Sequence, residues 1–182
     1  MLNNQHPNKT IVYAGSDVFS VQPLKKVLSL KYKKVTVLTR PPKRQGRGMK
    51  EKNNPLAEFA LHNNLETLMP ESPNDNNFIA KLEEKKYDLL ISCAYGRIMS
   101  EKLFGCFHMG NINIHPSLLP RWRGPSPIES SILEGDKITG VSLMQMTEEL
   151  DAGPVYEQRS INMNGENTKT LSEKLTLLAG DM

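Results

Sequence analysis

Short apolar runs that alternate with amphipathic stretches are the feature that most limits what this chain can become. Ile11-Val12-Tyr13-Ala14-Gly15 is an apolar run closed by glycine, and Val21, Leu24, Val27, Leu28 and Leu30 follow it at helical spacing. A strand therefore leads into a helix. Lys34 to Thr39 is a second strand by its β-branched content, stopped by Arg40-Pro41-Pro42. A basic loop runs to about Asn54, and Pro55 opens a helix carrying Leu56, Phe59, Ala60 and Leu61, since proline suits the first helical turn. Leu65 to Met69 reads as a third strand, Phe78 to Lys86 as a charged helix and Tyr87 to Ala94 as a fourth strand. Ser100 to Phe107 is a short helix, Gly110 to His115 a fifth strand and Pro125 to Glu134 a helix. Ile138 to Met146 and Val155 to Ile161 are strands. The last helix begins at Thr170-x-x-Glu173, a capping-box spacing, places Leu171, Leu175 and Leu178 on one face, and ends near Gly180. This alternation predicts an α/β fold with a mostly parallel central sheet flanked by helices, parallel through the fifth strand and joined by right-handed crossovers. In such sheets ligands lie beyond the carboxyl ends of the strands.

A chain of 182 residues fits one domain, read as a tail over 1–10 and a domain over 11–182. Apolar residues at 38% and charged residues at 24% exclude disordered, collagen-like and coiled-coil classes. Apolar runs such as Leu89-Leu90-Ile91 fall far short of the roughly 20 residues that cross a bilayer, so no membrane partner is expected. Cys93 and Cys106 are too few for a disulfide framework and share no ligand spacing with the four histidines. No metal is expected, and the compartment is read as reducing. Met1 to His6 shows neither the apolar core of a signal peptide nor the arginine-rich pattern of a transit peptide. Charge is uneven: residues 25–52 hold eleven Lys/Arg and one acid, net +10, against +3 for the whole chain. That segment suits an anionic partner, although surface lysines are also ordinary solvated faces.

The first turn, Gly15-Ser16-Asp17-Val18-Phe19, lacks the later glycines of a dinucleotide fingerprint, and the second strand ends in Thr39-Arg40-Pro41 with no acid. A dinucleotide is therefore disfavoured. The fifth strand is more informative, because Asn111, Asn113 and His115 share one face at period two, and two amides with an imidazole do not build an apolar core. A histidine before a proline is also at home as a hydrogen-bonded structural residue. Asp151, in Leu150-Asp151-Ala152-Gly153, follows the sixth strand in a loop that the fold can bring to the same carboxyl edge. With Asn113 and His115 it makes a legible group: an amide for a developing oxyanion, an imidazole to carry a proton, and a carboxylate to orient it. No Ser or Cys stands at a comparable elbow, which points to direct attack by a substrate group.

The segment Asn111 to Ile128, with Thr139-Gly140-Val141 and Leu150-Asp151-Ala152-Gly153, resembles the folate-dependent formyltransferase family. The likeness spans about Ile11 to Leu178 and is densest from Gly105 to Tyr156. It implies a Rossmann-like fold with Asn113, His115 and Asp151 as catalytic residues. It implies that Ser117, Leu118, Leu119 and Pro120, with Gly124 and Gly153, shape the folate pocket, and that the Ala94-Tyr95-Gly96-Arg97 loop meets the pterin. Arg121 to Ile128, Met144-Gln145-Met146 and the loop from Thr39 to Lys50 resemble the tRNA-acting branch. Arg40, Lys43, Arg44, Arg47 and Lys50 would then contact tRNA, with Pro42 and Lys43-Arg44 departing from the usual acidic and proline positions. The implied reaction moves the formyl group of 10-formyltetrahydrofolate to the α-amine of methionine esterified to initiator tRNA. The partners are that tRNA and the folate, and the chain is expected to act as a monomer. Alternatives are a formyltransferase for another amine, such as glycinamide ribonucleotide, or a non-enzymatic RNA-binding α/β protein. The branch usually continues into a basic β-barrel domain that does not fit in 182 residues, so the chain reads as the catalytic portion alone. Gly15 to Phe19 and Tyr95-Gly96-Arg97 look more like mitochondrial than bacterial members, giving the mitochondrial matrix as the expected compartment and the bacterial cytoplasm as the alternative.

Overall fold

The computed structural model describes residues 8–45 and 49–182. A seven-stranded sheet runs through the middle in the order β5-β2-β1-β6-β7-β8-β9. Its strands are β1 (Thr10–Gly15), β2 (Lys34–Leu38), β5 (Thr67–Leu68), β6 (Leu89–Cys93), β7 (Asn111–His115), β8 (Ile138–Met144) and β9 (Val155–Asn162). Pairing is parallel from β5 across to β7, and β8 and β9 are antiparallel additions. The helices are α1 (Val21–Ser29), α2 (Pro55–His62), α3 (Asn76–Lys85), α4 (Glu101–Phe104), α5 (Pro127–Leu133) and α6 (Thr168–Asp181). A 3₁₀ turn at Val18–Ser20 precedes α1.

Strand alternation divides the core between the two faces of the sheet. Ile11 and Tyr13 of β1 join Leu24, Leu56, Leu171 and Leu175 in a cluster built with α1, α2, α5 and α6. Val12 and Ala14 point the other way, to Ile79, Leu82 and Leu103 of α3 and α4. Side-chain oxygens fix the helix starts: Asn54 caps α2 ahead of Pro55, Asp75 caps α3, and Ser100 caps α4.

Three expectations change. The segment read as a basic loop contains an antiparallel hairpin of β3 (Lys43–Gln45) and β4 (Lys50–Lys52). Like charges crowd its pattern, and the backbone ladder pairs Lys43 with Lys52 and Arg44 with Glu51 without an apolar face to announce it. The last helix starts two residues before Thr170. Asn167 is its cap, with Thr170 returning the second bond of the capping box, and the helix continues through Gly180 to Asp181. Gly180 stays helical where α6 crosses α1, a Cβ there lying 3.8 Å from the Gln22 carbonyl oxygen. Finally, Lys9 and Thr10, read as tail, are already tied to the sheet.

That tie is Asp88, at the start of β6. Its carboxylate accepts from the Thr10 N–H and hydroxyl at 2.7 Å each and from Lys9 Nζ at 3.0 Å, with His108 Nε2 3.2 Å away. The Thr10 backbone bond, helped by the Thr10 hydroxyl and Lys9, holds the carboxyl at about 2 against an ordinary 3.8. A carboxyl depressed on folding stabilises fully above its unfolded value and loses that contribution as pH falls through the folded one. Asp88→Asn is therefore expected to lower stability at pH 7, with the difference from wild type shrinking between about pH 4 and pH 2. Urea unfolding across that range checks it, and a constant difference would count against the linkage.

Candidate active site

At the carboxyl edge of β1, β2, β6 and β7 lies a cleft of about 740 Å³, within the roughly 300–1,000 Å³ typical of small-molecule sites. Asn113 and His115 of β7 line it, as do Asp151 and Gly124. The Asp151 carboxylate gathers them: Oδ2 accepts from the Gly124 N–H at 2.9 Å and lies 3.5 Å from His115 Nδ1, while Oδ1 accepts from Asn113 Nδ2 at 3.4 Å. Only 5% of the His115 side chain and 8% of the Asp151 side chain are exposed, so this pair works largely out of bulk water. His115 Nε2 stands 2.9 Å from the Trp122 carbonyl oxygen. Both ring nitrogens thus face oxygen acceptors.

Asp151 does not arrive along the carboxyl edge. Because β8 runs antiparallel to β7, Met144 sits opposite Asn113 and the chain leaves β8 heading back toward Asn111. Asn111 accepts there from the Met146 N–H at 2.6 Å. The loop then doubles over the face that carries Asn113 and His115. Gly153 permits the return, since a Cβ on it would lie 2.1 Å from the Gln145 carbonyl oxygen, beside the Gln145 N–H bond to Pro154. Left-handed backbone at Trp122 (φ 60°) and Asp151 (φ 50°) aims the carbonyl and the carboxylate, a strain that clusters at functional loops.

Ser117 to Pro120 stand behind the cleft and do not line it. Ser117 is fully buried, its carbonyl accepting from Ser142 Oγ at 2.6 Å, and the Leu119 N–H donates to the same Ser142 oxygen. Leu118 packs over Gly140, where a Cβ would come within 2.7 Å of its side chain, and a cis peptide joins Leu119 to Pro120. This segment is a brace between β7 and β8. Its far end is clamped by a residue outside the sequence reading: Asp136 accepts from Arg121 through two bonds and from the Trp122 indole at 2.7 Å. Nothing in the spacing of Asp136 singled it out.

Ala94, Tyr95, Gly96 and Arg97 do line the cleft. Ser16 Oγ bonds the Ala94 and Tyr95 carbonyls, and Arg97 donates to the Pro70 and Glu71 carbonyls. Tyr95 is 2% exposed and its hydroxyl has no partner among the described residues. Burial pushes its phenol up, against the pull of Arg97 and Arg40, so it remains a neutral donor. Arg40 also lines the cleft, its guanidinium beside Gly96. Lys43, Arg44 and Lys50 belong to the exposed hairpin beyond β2, and Arg47 lies outside the described residues. Asp17 and Phe104 line the cleft without having been read as site residues, and Met144 and Met146, noted for their likeness to the tRNA-acting branch, line it too. Of these, Asp17 was readable, since it directly follows a strand whose carboxyl end faces ligand. Cys93, at the end of β6, is wholly buried and its thiol is pushed up to about 12 by desolvation, which leaves it inert as a nucleophile. Among the described residues no group of three His, Cys, Asp or Glu is arranged for a metal, and no helix is long and apolar enough to cross a membrane.

Residues 11–179 match the formyl transferase family, and the chain belongs to it. It is 40% identical over 166 residues to a methionyl-tRNA formyltransferase of Buchnera aphidicola subsp. Acyrthosiphon pisum (strain Tuc7), covering 91% of this chain and 53% of that protein. It is likewise 40% identical to one from Wolbachia sp. subsp. Drosophila simulans (strain wRi), covering 94% of this chain and 58% of the relative. The chain thus spans about half the length of the curated relatives it matches. In fold it is similar to phosphoribosylglycinamide formyltransferase from Bacillus halodurans, with a TM-score of 0.75, 21% identity, and coverage of 96% of this chain and 91% of the other.

The close approach at Gly153 yields a test of how tightly Asp151 must be placed. Gly153→Ala is expected to leave the sheet folded but push the returning loop outward, and a misplacement near 1 Å costs about a hundredfold in rate. Steady-state kinetics beside a circular dichroism spectrum check it; an unchanged kcat would show that the loop tolerates the displacement.

Proposed function

We propose that the chain transfers the formyl group of 10-formyltetrahydrofolate to the α-amine of methionine esterified to initiator tRNA. Formyl transfer follows from the family. What supports the tRNA acceptor is the 40% identity to proteins named for it, against 18–24% for fold neighbours named for phosphoribosylglycinamide. The observation that carries the chemistry is the Asp151 carboxylate in reach of both Asn113 and His115.

In this reading the amine lone pair attacks the formyl carbon and charge develops on the formyl oxygen. The Asn113 amide donates to that oxygen, and the His115 ring joins it when the Trp122 carbonyl gives up Nε2. Asp151, by its charge, steadies a protonated imidazole and accepts the amine proton directly or through water. The bond from formyl carbon to the folate nitrogen then breaks, and that nitrogen leaves with the proton Asp151 took from the amine, which returns the carboxylate to its charged form. Tyr95 supplies a buried hydroxyl and Arg40 a guanidinium on the wall where the donor would lie. The exposed hairpin of Lys43, Arg44 and Lys50 supplies phosphate contacts, which give affinity and register rather than chemistry. The mitochondrial matrix, read from Gly15–Phe19 and Tyr95–Arg97, belongs to the same proposal.

The deciding experiment is transfer of labelled formyl from the folate to charged initiator tRNA and, in parallel, to phosphoribosylglycinamide. Preference for the second would replace this reading. Asn113→Ala, His115→Ala and Asp151→Ala are each expected to lower kcat about a hundredfold to a thousandfold, the usual loss for one oxyanion donor, with folate affinity nearly unchanged. Near-normal turnover in His115→Ala would make this histidine structural. Neutralising Lys43 and Lys50 together should weaken tRNA use and reduce its salt dependence by about 0.7–0.9 log units per lost phosphate contact. A salt slope equal to wild type would leave the hairpin as solvated surface.

A further inference from the structure

Fold neighbours of this chain are named for an acceptor that carries a phosphate. In sheets of this kind the first strand-to-helix turn is the usual phosphate cradle. Glycine there lets backbone approach the anion, and free N–H groups at the helix start bind it. Here that turn lines the cleft through Ser16, Asp17 and Phe19, and much of what a cradle needs is already used. The space at Gly15 is filled by its own chain: a Cβ would lie 2.7 Å from the Cys93 carbonyl oxygen and from Ser20. The Ser16 N–H donates to the Ala94 carbonyl, the Ser20 N–H to the Asp17 carbonyl, and the Val21 N–H to the Val18 carbonyl. The Phe19 N–H donates to Asp17 Oδ1 at 2.9 Å. A carboxylate thus occupies the position an anionic ligand would take. Among the described residues that line the cleft, α5 and α6 contribute Ile128, Glu129, Thr168 and Ser172, whereas the two arginines, Arg40 and Arg97, belong to the loops after β2 and β6.

We propose that Asp17 is a specificity-determining residue that closes this turn to a phosphomonoester and so excludes small phosphorylated acceptors from the cleft. Capping explains why an acceptor atom stands at this position, and Asn or Ser would cap as well. A full negative charge facing the cleft adds repulsion, which discriminates against an anionic competitor without strengthening any contact to the favoured substrate. Exclusion of phosphate deepens the acceptor choice proposed above and rests on that reading only in placing the acceptor in this cleft.

Isothermal titration of the full chain with phosphoribosylglycinamide and with its dephosphorylated riboside tests it. Asp17→Asn keeps the oxygen that caps Phe19 and removes the charge; Asp17→Glu keeps the charge. The phosphorylated compound is expected to bind Asp17→Asn at least about tenfold more tightly than wild type or Asp17→Glu, the riboside equally to all three. Equal affinity of the phosphorylated compound for wild type and Asp17→Asn overturns the assignment, as does undetectable binding to Asp17→Asn. Wild type preferring the phosphorylated compound to the riboside overturns it too. Because binding is read without turnover, failure to formylate charged tRNA would sink the proposed acceptor and leave the Asp17 result standing on its own.

Discussion

The Asp151 carboxylate holds the site together. It draws on Asn113 and His115 from β7 and on the Gly124 amide from the segment after it, so three stretches of chain meet at one charged group. A buried carboxylate is costly unless its lone pairs are satisfied, and here the groups that satisfy it belong to residues that line the cleft. Stability and the shape of the cleft are coupled at this point. The supports are arranged accordingly: Ser142 braces Ser117 and Leu119, and Asp136 fixes Arg121 and Trp122. Neither brace touches the cleft, yet together they set where the Trp122 carbonyl and the Gly124 amide point.

Much of the fold was legible because burial on both faces of a parallel sheet leaves near-continuous apolar runs, as in Ile11 to Ala14 and Leu89 to Cys93. Asn113 and His115 were legible for the opposite reason, since polar groups at period two in an otherwise apolar strand have few structural uses. What stayed hidden depends on close backbone contact rather than on pattern. The β3–β4 hairpin has no apolar face, so its charges read as loop. Asn167 displaced Thr170 as the cap of α6 because either residue type can open a capping box, and only the chain's path chooses between them. Asp136 and Ser142 became meaningful once the turns that face them were in place.

Ser117 to Pro120 illustrate how a segment can shape a cleft without lining it. Ser117 and Leu119 are buried and braced, and none of the four lines the cleft, so the bearing of the segment on the site is transmitted through Trp122 and Gly124. The antiparallel placement of β8 has a similar indirect effect. A parallel β8 would have delivered its following loop to the carboxyl edge; the antiparallel strand sends it the wrong way, and Gly153 with the left-handed Asp151 brings it back.

The tie between α6 and the turn after β1 bears on how the protein is made. Thr176 Oγ1 donates to the Phe19 carbonyl at 2.7 Å, and Leu171 and Leu175 pack in the cluster that holds Leu24 and Val27. Residues 157 positions apart thus complete one wall of the cleft, and contacts of such long sequence separation form late. On the ribosome, where chains emerge from the N-terminus, β1, β2, β6 and β7 can assemble while the wall beside Asp17 still waits for α6. The nascent sheet carries His115 before it carries a closed cleft, and the cleft gains its last wall only once α6 has emerged.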